Sequence, residues 1–263
     1  MDISQNAKKI FFENIPLLHT FDGGVSWNTG GFKRHHLKYL YELSVSIPEC
    51  KIIETGSGNS TISFLLANPK KLVSISPDFK LFSRIENLCK EKGISMKNLE
   101  YIKSKSEWEL PSLALKKNEF DIGLIDGCHG WPTAFIDLYY IYYMLRPGGY
   151  LIIDDVNLHS IKEIANFLMA ETTKFALVAD FEKALIFKKL TNDLEFGEWN
   201  EQKYIIYKTN ESRDRGEAFT LRKLASEDSH SLRFGRRVLV NTLIFMIRVF
   251  TRILSRIRNL SVD

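Results

Sequence analysis

The 263-residue chain has few cysteines and no long apolar run. Its three cysteines, Cys50, Cys89 and Cys128, lie far apart, so they form neither a metal-finger pattern nor a disulfide framework. This scarcity favours a reducing compartment, and we expect a cytoplasmic protein. The longest apolar stretch near the C-terminus, residues 238–247, is too short for a typical membrane span.

The charges are unevenly distributed along the chain. The 36 basic and 32 acidic residues leave a formal net charge of only +4, yet residues 229–262 contain seven arginines and no acid. The remainder is therefore mildly acidic, which argues against a general nucleic-acid-binding surface. With 44% hydrophobic and 26% charged residues, the composition is that of a globular protein and excludes a wholly disordered or coiled-coil chain.

Short apolar runs alternate with helical patterns through the middle of the chain. We predict strands at 51–55, 71–76, 99–104, 120–126 and 149–155. Helices are predicted at 32–45, 60–68, 79–93, 108–117, 133–145 and 160–171. Apolar strands separated by helices are typical of an α/β fold in which a parallel sheet is covered on both faces.

The pattern changes after residue 171. Residues 175–180 and 183–189 are separated by a short turn, which favours an antiparallel hairpin at one edge of the sheet. A further edge strand is predicted at 203–208.

Three parts follow from these patterns: an N-terminal arm and helix (1–49), a sheet domain (50–210) and a C-terminal linker and helix (211–263). We expect residues 1–31 to be irregular and to include a lid formed by Trp27 and Gly30-Gly31.

The first predicted strand runs into the turn Glu54-Thr55-Gly56-Ser57-Gly58-Asn59-Ser60-Thr61. A strand that ends in Gly-x-Gly and opens into a helix brings backbone N–H groups close to a ligand. The third glycine of the dinucleotide fingerprint is absent, because Thr61 occupies its position. Glu54 would repel a phosphate and instead suits a ligand with a cationic amino group. A tight strand–helix turn without a ligand is the alternative interpretation.

Acidic residues and a histidine follow two later strands. Asp126 ends the fourth strand, with His129 three residues on, and Asp154 and Asp155 end the fifth. The carboxyl ends of adjacent parallel strands share one edge of the sheet, so these groups are expected to converge. Three carboxylates in one place are tolerated when a hard dication such as Mg²⁺ lies among them.

Such an ion lowers the pKa of a substrate hydroxyl, and His129 is then placed to take the proton. The alternative is structural: Asp126 orients the glycine turn and Asp155 caps the following helix.

The glycine turn and three later segments together resemble the motifs of class I S-adenosylmethionine (SAM)-dependent methyltransferases. These segments are Ile125-Asp126-Gly127-Cys128-His129, Leu145-Arg146-Pro147-Gly148-Gly149 and Ile153-Asp154-Asp155. The chain looks most similar to the small-molecule and sugar O-methyltransferases that carry a DGxH signature. The resemblance spans about residues 50–189.

It implies a Rossmann-like sheet that binds SAM at the carboxyl ends of its strands. It also implies methylation of a hydroxyl on a sugar, glycan or other small molecule, with Mg²⁺ on Asp126, Asp154 and Asp155 and with His129 as the base.

The resemblance further implies which residues contact SAM. The methionine end would face Glu54 and the glycine turn, at Gly56, Ser57, Gly58 and Ser60. Asp126 and Gly127 would also contact the cofactor. Ser76 occupies the position of the family's ribose-binding acid, and Asp78 follows two residues later. Lys105 stands near the position of a further acid at the adenine, where Ser106 would bond the ring edge and Trp108 would stack on it. These departures favour an alternative, a non-catalytic adaptor at a membrane with a degenerate crevice.

The last predicted helix is both basic and apolar. Arg248, Arg252 and Arg256 recur every four residues and form one stripe, while apolar residues fill much of the opposite side. This pattern is typical of an amphipathic helix lying on a membrane surface, here the inner face. Packing on the catalytic domain or within a homo-oligomer is the alternative. Nucleic acid is not expected as a partner, because aromatic residues are not interleaved with the arginines.

Overall fold

A computed structural model describes residues 3–19, 32–116 and 119–212. The chain divides into two compact units, Met1–Glu198 and Trp199–Asp263. The predicted basic helix at 236–263 lies outside the described residues, as do Trp27 and Gly30-Gly31 of the predicted lid.

The first unit is an α/β sandwich. Its strands are β1 (Lys51–Thr55), β2 (Lys71–Ile75), β3 (Leu99–Ile102), β4 (Phe120–Ile125), β5 (Leu145–Ile153), β6 (Phe175–Asp180) and β7 (Leu185–Lys189). Its helices are α1 (Ile3–Glu13), α2 (Arg34–Val45), α3 (Asn59–Leu66), α4 (Phe79–Lys92), α5 (Ser106–Leu115), α6 (Thr133–Met144) and α7 (His159–Ala170). Each strand predicted between residues 51 and 189 is present, with its ends shifted by a few residues.

The strands form one sheet in the order β3-β2-β1-β4-β5-β7-β6. The pairs among β1 to β5 are parallel, and β7 runs antiparallel to both β5 and β6. The predicted fold class, a mostly parallel Rossmann-like sheet with an antiparallel hairpin at one edge, is confirmed. The chain moves outward from β1 to β3 and then returns to β4, and such a reversal opens a crevice at the carboxyl ends of the strands.

Apolar side chains on the two faces of the sheet build two cores. Ile53 of β1 packs with residues of α5, α6 and α7, whereas its neighbour Ile52 packs with residues of α1, α2 and α4. Successive side chains of a strand point to opposite faces, so both faces must be covered for such a run to be buried. All six residues of β4 are buried, which places this strand at the centre of the sheet.

The prediction of irregular backbone for residues 1–31 is wrong at Ile3–Glu13, which forms α1. Ala7 and Phe11 stand four residues apart and are both buried, so they mark one apolar side of a helix. The next residue, Phe12, packs edge-on against Tyr41 of α2 with ring centroids 5.8 Å apart. The short helix is thus stabilised by packing on α2.

The second unit contains a 3-10 turn at Trp199–Glu201 and a helix over residues 203–212. The strand predicted at 203–208 is therefore wrong. The ammonium of Lys208 lies 5.6 Å from the centre of the Tyr204 ring and 3.4 Å from a carboxylate oxygen of Glu211. These contacts at helical spacing favour a helix although the segment is rich in strand-forming residues. No helix within the described ranges is long and apolar enough to span a membrane.

Candidate active site

The glycine turn after β1 lies directly against the loop after β4. Gly56 has a φ of +84°, and its N–H donates to the carbonyl of Ile75 over 2.9 Å. A Cβ on Gly56 would lie 2.0 Å from the carbonyl oxygen of Asp126. Both the backbone conformation and this close approach require glycine.

Glu54 holds the end of β1 to the beginning of α3. Its carboxylate is fully buried and accepts hydrogen bonds from the hydroxyls of Ser60, over 3.0 Å, and Thr61. Burial raises the pKa of Glu54 to about 7, although the surrounding hydroxyls act in the opposite direction. The nearby Ser57 and Ser74 hydroxyls are hydrogen-bonded at 2.8 Å.

A cleft of about 530 Å³ opens at the carboxyl ends of β1, β2 and β4. This volume lies within the range of roughly 300–1,000 Å³ that is usual for small-molecule sites. Seven of the ten predicted cofactor residues line it: Gly56, Ser57, Ser76, Asp78, Ser106, Asp126 and Gly127. Glu54, Gly58 and Ser60 are not among its lining residues, and their contacts with SAM stay predictions.

The end of β2 contributes Ser76 and Asp78. A carboxylate oxygen of Asp78 accepts a hydrogen bond from the N–H of Leu81 over 2.9 Å, so Asp78 caps α4. The Ser76 hydroxyl in turn accepts a hydrogen bond from the N–H of Asp78 over 3.3 Å. Asp78, which stands two residues beyond the position of the ribose-binding acid, therefore lines the cleft and also caps α4.

The far wall of the cleft is formed at the beginning of α5. Ser106 is the first residue of this helix and lines the cleft, and its contact with the adenine edge stays a prediction. The ammonium of Lys105 lies 5.1 Å from the centre of the Trp108 ring, which is exposed. Sequence reasoning missed Glu107, which lines the cleft beside Ser106 and could have been noticed as an acid two residues beyond Lys105.

Asp126, His129 and Asp155 converge at the rim beside this cleft. The Nε2 atom of His129 lies 3.8 Å from an Asp126 oxygen and 3.6 Å from an Asp155 oxygen. One ligand atom from each of the three residues lies within 4.8 Å of the others, an arrangement that could hold a metal ion. The His129 Nε2 atom is buried and has no hydrogen-bond partner within the described ranges, which fits a missing ligand.

The backbone explains why consecutive acids can point differently. β5 ends at Ile153, and Asp155 adopts a left-handed φ of 55°. Asp154 lies outside the three-residue group and is buried, while its N–H donates to the carbonyl of Ile125 over 3.1 Å. Its predicted role as a metal ligand stays a prediction.

The electrostatics of this rim favour a cation. Burial, Asp126 and Asp155 raise the pKa of Asp154 to about 9. Burial also raises the pKa of Asp126, and the neighbouring Asp126 carboxylate raises the pKa of His129. These side chains therefore tend to hold protons in the absence of a metal ion, and a bound ion would take the place of those protons.

One motif of the sequence lies away from the cleft. Arg146 and Gly149 stand at the amino end of β5, where the Arg146 guanidinium pairs with the carboxylate of Asp121. A Cβ on Gly149 would lie 2.9 Å from the Arg146 carbonyl and 3.0 Å from the Asp121 carbonyl. This segment supports the sheet and contributes nothing to the site.

Sequence reasoning also missed His19, which lines the cleft. The residue lies in a short irregular segment after α1, where no periodic pattern or motif marks it. Its place in the cleft wall depends on the packing of this segment against the glycine turn, which no local sequence pattern indicates.

Comparisons with known proteins agree with this architecture. Residues 53–156 match the family model described as a methyltransferase domain. No curated protein matches the chain in sequence.

Many solved structures are similar to it, and three of them serve as examples. Cofactor-bound Rv0187 from MTB has a TM-score of 0.52 and 16% identity over 73% of this chain and 92% of that one. The O-methyltransferase TomG from Streptomyces achromogenes, in complex with SAM, has a TM-score of 0.50 and 16% identity over 73% and 91%. The O-methyltransferase from Bacillus cereus, in complex with SAH, the demethylated product of SAM, gives the same four values.

The strand order, the glycine turn and the shared fold define a class I methyltransferase architecture. The match to a methyltransferase domain over residues 53–156 confirms the resemblance inferred from the motifs.

Proposed function

We propose that this chain transfers the methyl group of SAM to a hydroxyl of a sugar or another small molecule, as a cytoplasmic O-methyltransferase assisted by a divalent ion. The observation that carries the proposal is the convergence of Asp126, His129 and Asp155 beside the cleft. O-Methyltransferases among the similar structures, with SAM or SAH bound, support the reaction type.

The cleft residues have separate tasks in this proposal. The glycine turn and Asp126 receive the methionine end of SAM, while Ser76, Asp78 and Ser106 receive the adenosine end. SAM already carries an activated methyl group, so the protein mainly aligns donor and acceptor. The acceptor hydroxyl is placed at the rim, near His129.

The rim fits Mg²⁺ in the chemistry of its donors. Asp126 and Asp155 offer the carboxylate oxygens that Mg²⁺ prefers, and the orphaned His129 nitrogen beside them is left to accept a proton from the acceptor. When bound, such an ion lowers the pKa of an acceptor hydroxyl. Asp154 remains a proposed further ligand, since a nearby dication would favour its ionised form.

His129 is the proposed base. The Asp126 carboxylate raises the pKa of its ring and so favours the protonated form. A dication held by the same carboxylates acts in the opposite direction and frees the ring to accept the proton of the hydroxyl.

Methyl transfer from labelled SAM to a panel of sugars and small phenols tests this function. EDTA should abolish transfer and Mg²⁺ should restore it. Replacing His129 with Ala should lower kcat far more than it lowers SAM affinity, because a base acts on the acceptor. Full activity in EDTA would leave Asp154 and Asp155 as structural residues, and an equal loss of kcat and affinity would remove His129 from the role of base.

A non-catalytic adaptor at a membrane remains the alternative. The replacement of the family's acids by Ser76 and Lys105 favours it. The glycine turn and the set of Asp126, His129, Asp154 and Asp155 favour an enzyme. The same assay separates them, since an adaptor would give no transfer to any acceptor of the panel under any metal condition.

A further inference from the structure

Residues 15–19 follow α1 in the sequence and are anchored to the beginning of α3. The side-chain amide of Asn59 donates to the carbonyl of Pro16 over 3.1 Å. Leu18 is buried in the core on the α1 side of the sheet. These two anchors bring His19 into the wall of the cleft. The segment precedes residue 53, where the match to the methyltransferase model begins.

The imidazole of His19 covers Gly58. A Cβ on Gly58 would lie 2.8 Å from Nε2 of His19 and 3.7 Å from its Cδ2 atom. Gly58 has a φ of 163°, which is extended backbone that other residues also adopt. A larger residue at position 58 would therefore have to displace the His19 ring from the turn.

Charged groups surround His19 on several sides. The carboxylates of Asp126 and Asp78 favour its protonated form, whereas Arg84 opposes that form. Burial is the largest influence and lowers the pKa of His19 below its ordinary value of 6.5. A neutral imidazole has one N–H donor and one acceptor nitrogen. The ring of His19 therefore offers an acceptor nitrogen in the wall of the cleft.

We propose that His19 is a cofactor-binding residue whose ring contacts the amino-acid end of SAM over the glycine turn. A cleft whose wall holds both this acceptor nitrogen and the Asp126 carboxylate suits an ammonium group, and the amino-acid end of SAM carries one. The inference rests on the proposed function, since it assigns a further contact within the same cleft.

Calorimetry with two ligands tests this contact. SAH carries the amino-acid end, whereas 5′-methylthioadenosine lacks it but retains the adenosine end. His19→Ala should weaken SAH binding about tenfold or more, as expected for losing a hydrogen bond to a charged group. The affinity for 5′-methylthioadenosine should stay within about twofold, given that the lost contact is absent from that ligand. The matched control is His35→Ala, an exposed histidine of α2 that does not line the cleft.

Unchanged SAH affinity in His19→Ala would overturn the inference, and so would an equal loss for both ligands. If the wild-type chain binds neither ligand, the proposed function itself fails. These outcomes are distinguishable because the wild-type titration precedes the comparison of variants.

A second variant separates contact from general destabilisation. Gly58→Ala should lower the unfolding temperature in the wild-type background, because the new Cβ meets the His19 ring. In a His19→Ala background the same substitution should have little effect. An equal loss in both backgrounds would show that Gly58 is required for another reason and would contradict the placement of His19 on the turn.

Discussion

At the residue scale, the site depends on one close approach between backbones. Gly56 and the carbonyl of Asp126 meet where a side chain would overlap the oxygen. Gly56→Ala should therefore lower the free energy of unfolding by about 2 kcal/mol or more, from the strained positive φ together with the overlap. Chemical denaturation measures this loss.

Gly130→Ala is the matched control for this substitution. A Cβ there would lie 3.7 Å from the Cys128 sulfur, which is an ordinary contact. We expect a change within about 0.5 kcal/mol, as for most surface substitutions. Equal losses in the two variants would show that the turn does not require a bare backbone at residue 56.

Residues of the site differ in how far the sequence predicts them. Asp126 and His129 stand in a motif directly after an apolar strand, so their place at the edge of the sheet follows from topology. His19 has no such marker, because its position depends on Asn59 and Leu18, which anchor a segment distant in sequence. The separation of Asp154 from Asp155 depends on the left-handed backbone of one residue, which no pattern of side chains reveals.

At the scale of the element, α4 begins at a residue of the cleft. Asp78 accepts a hydrogen bond from the Leu81 N–H, so Asp78→Ala should destabilise the protein by about 1 kcal/mol through the lost cap. Asp78→Ser retains a capping oxygen and should recover most of this stability. Thermal and chemical unfolding of both variants check the expectation.

SAM affinity gives a second comparison for the same two variants. If Asp78 contacts the ribose with its carboxylate, Asp78→Ser should bind SAM more weakly even though its stability is restored. Equal stability of Asp78→Ala and Asp78→Ser would contradict the capping role.

The elements of the sheet were predictable, whereas two helices were not. Runs of apolar residues separated by helical patterns identified β1 to β5, because strands buried on both faces have no polar side. Helix α1 has only a short apolar stripe, and its stability comes from packing on α2. The helix at 203–212 consists of residues that favour strands, and local pairs such as Lys208 with Glu211 stabilise it instead.

At the scale of the whole molecule, the acidic rim links stability to pH. The pKa of Asp154 in the folded protein is about 9, above its ordinary value of 3.8. Folding thus favours the protonated acid, and this contribution is fully present below about pH 4 and is lost as the pH rises toward 9. In EDTA, the unfolding temperature of the wild type should fall between about pH 5 and 8, and that of Asp154→Asn should fall less.

Parallel declines in the two proteins would show that Asp154 does not titrate as its surroundings require. Adding Mg²⁺ at the higher pH should raise the unfolding temperature of the wild type more than that of Asp154→Asn, provided that the ion lies beside this carboxylate.

The basic arm at 236–263 gives a prediction for the complete chain. Its removal should leave the sheet domain folded, because the seven strands found among the described residues end before residue 190. If the arm lies on a membrane, the truncated protein should lose binding to anionic vesicles, and binding of the full chain should weaken as salt rises. A soluble oligomer that dissociates on truncation, with no vesicle binding at any salt, would show that the arm is an assembly element.

The central claim is that the cleft at the ends of β1, β2 and β4 binds SAM. Calorimetric titration of SAM into the full chain tests it most directly, with Gly56→Ala as the matched variant in the cleft wall. We expect saturable binding at one site in the wild type and a strong loss in the variant. An absence of binding by the wild type up to millimolar SAM would contradict it.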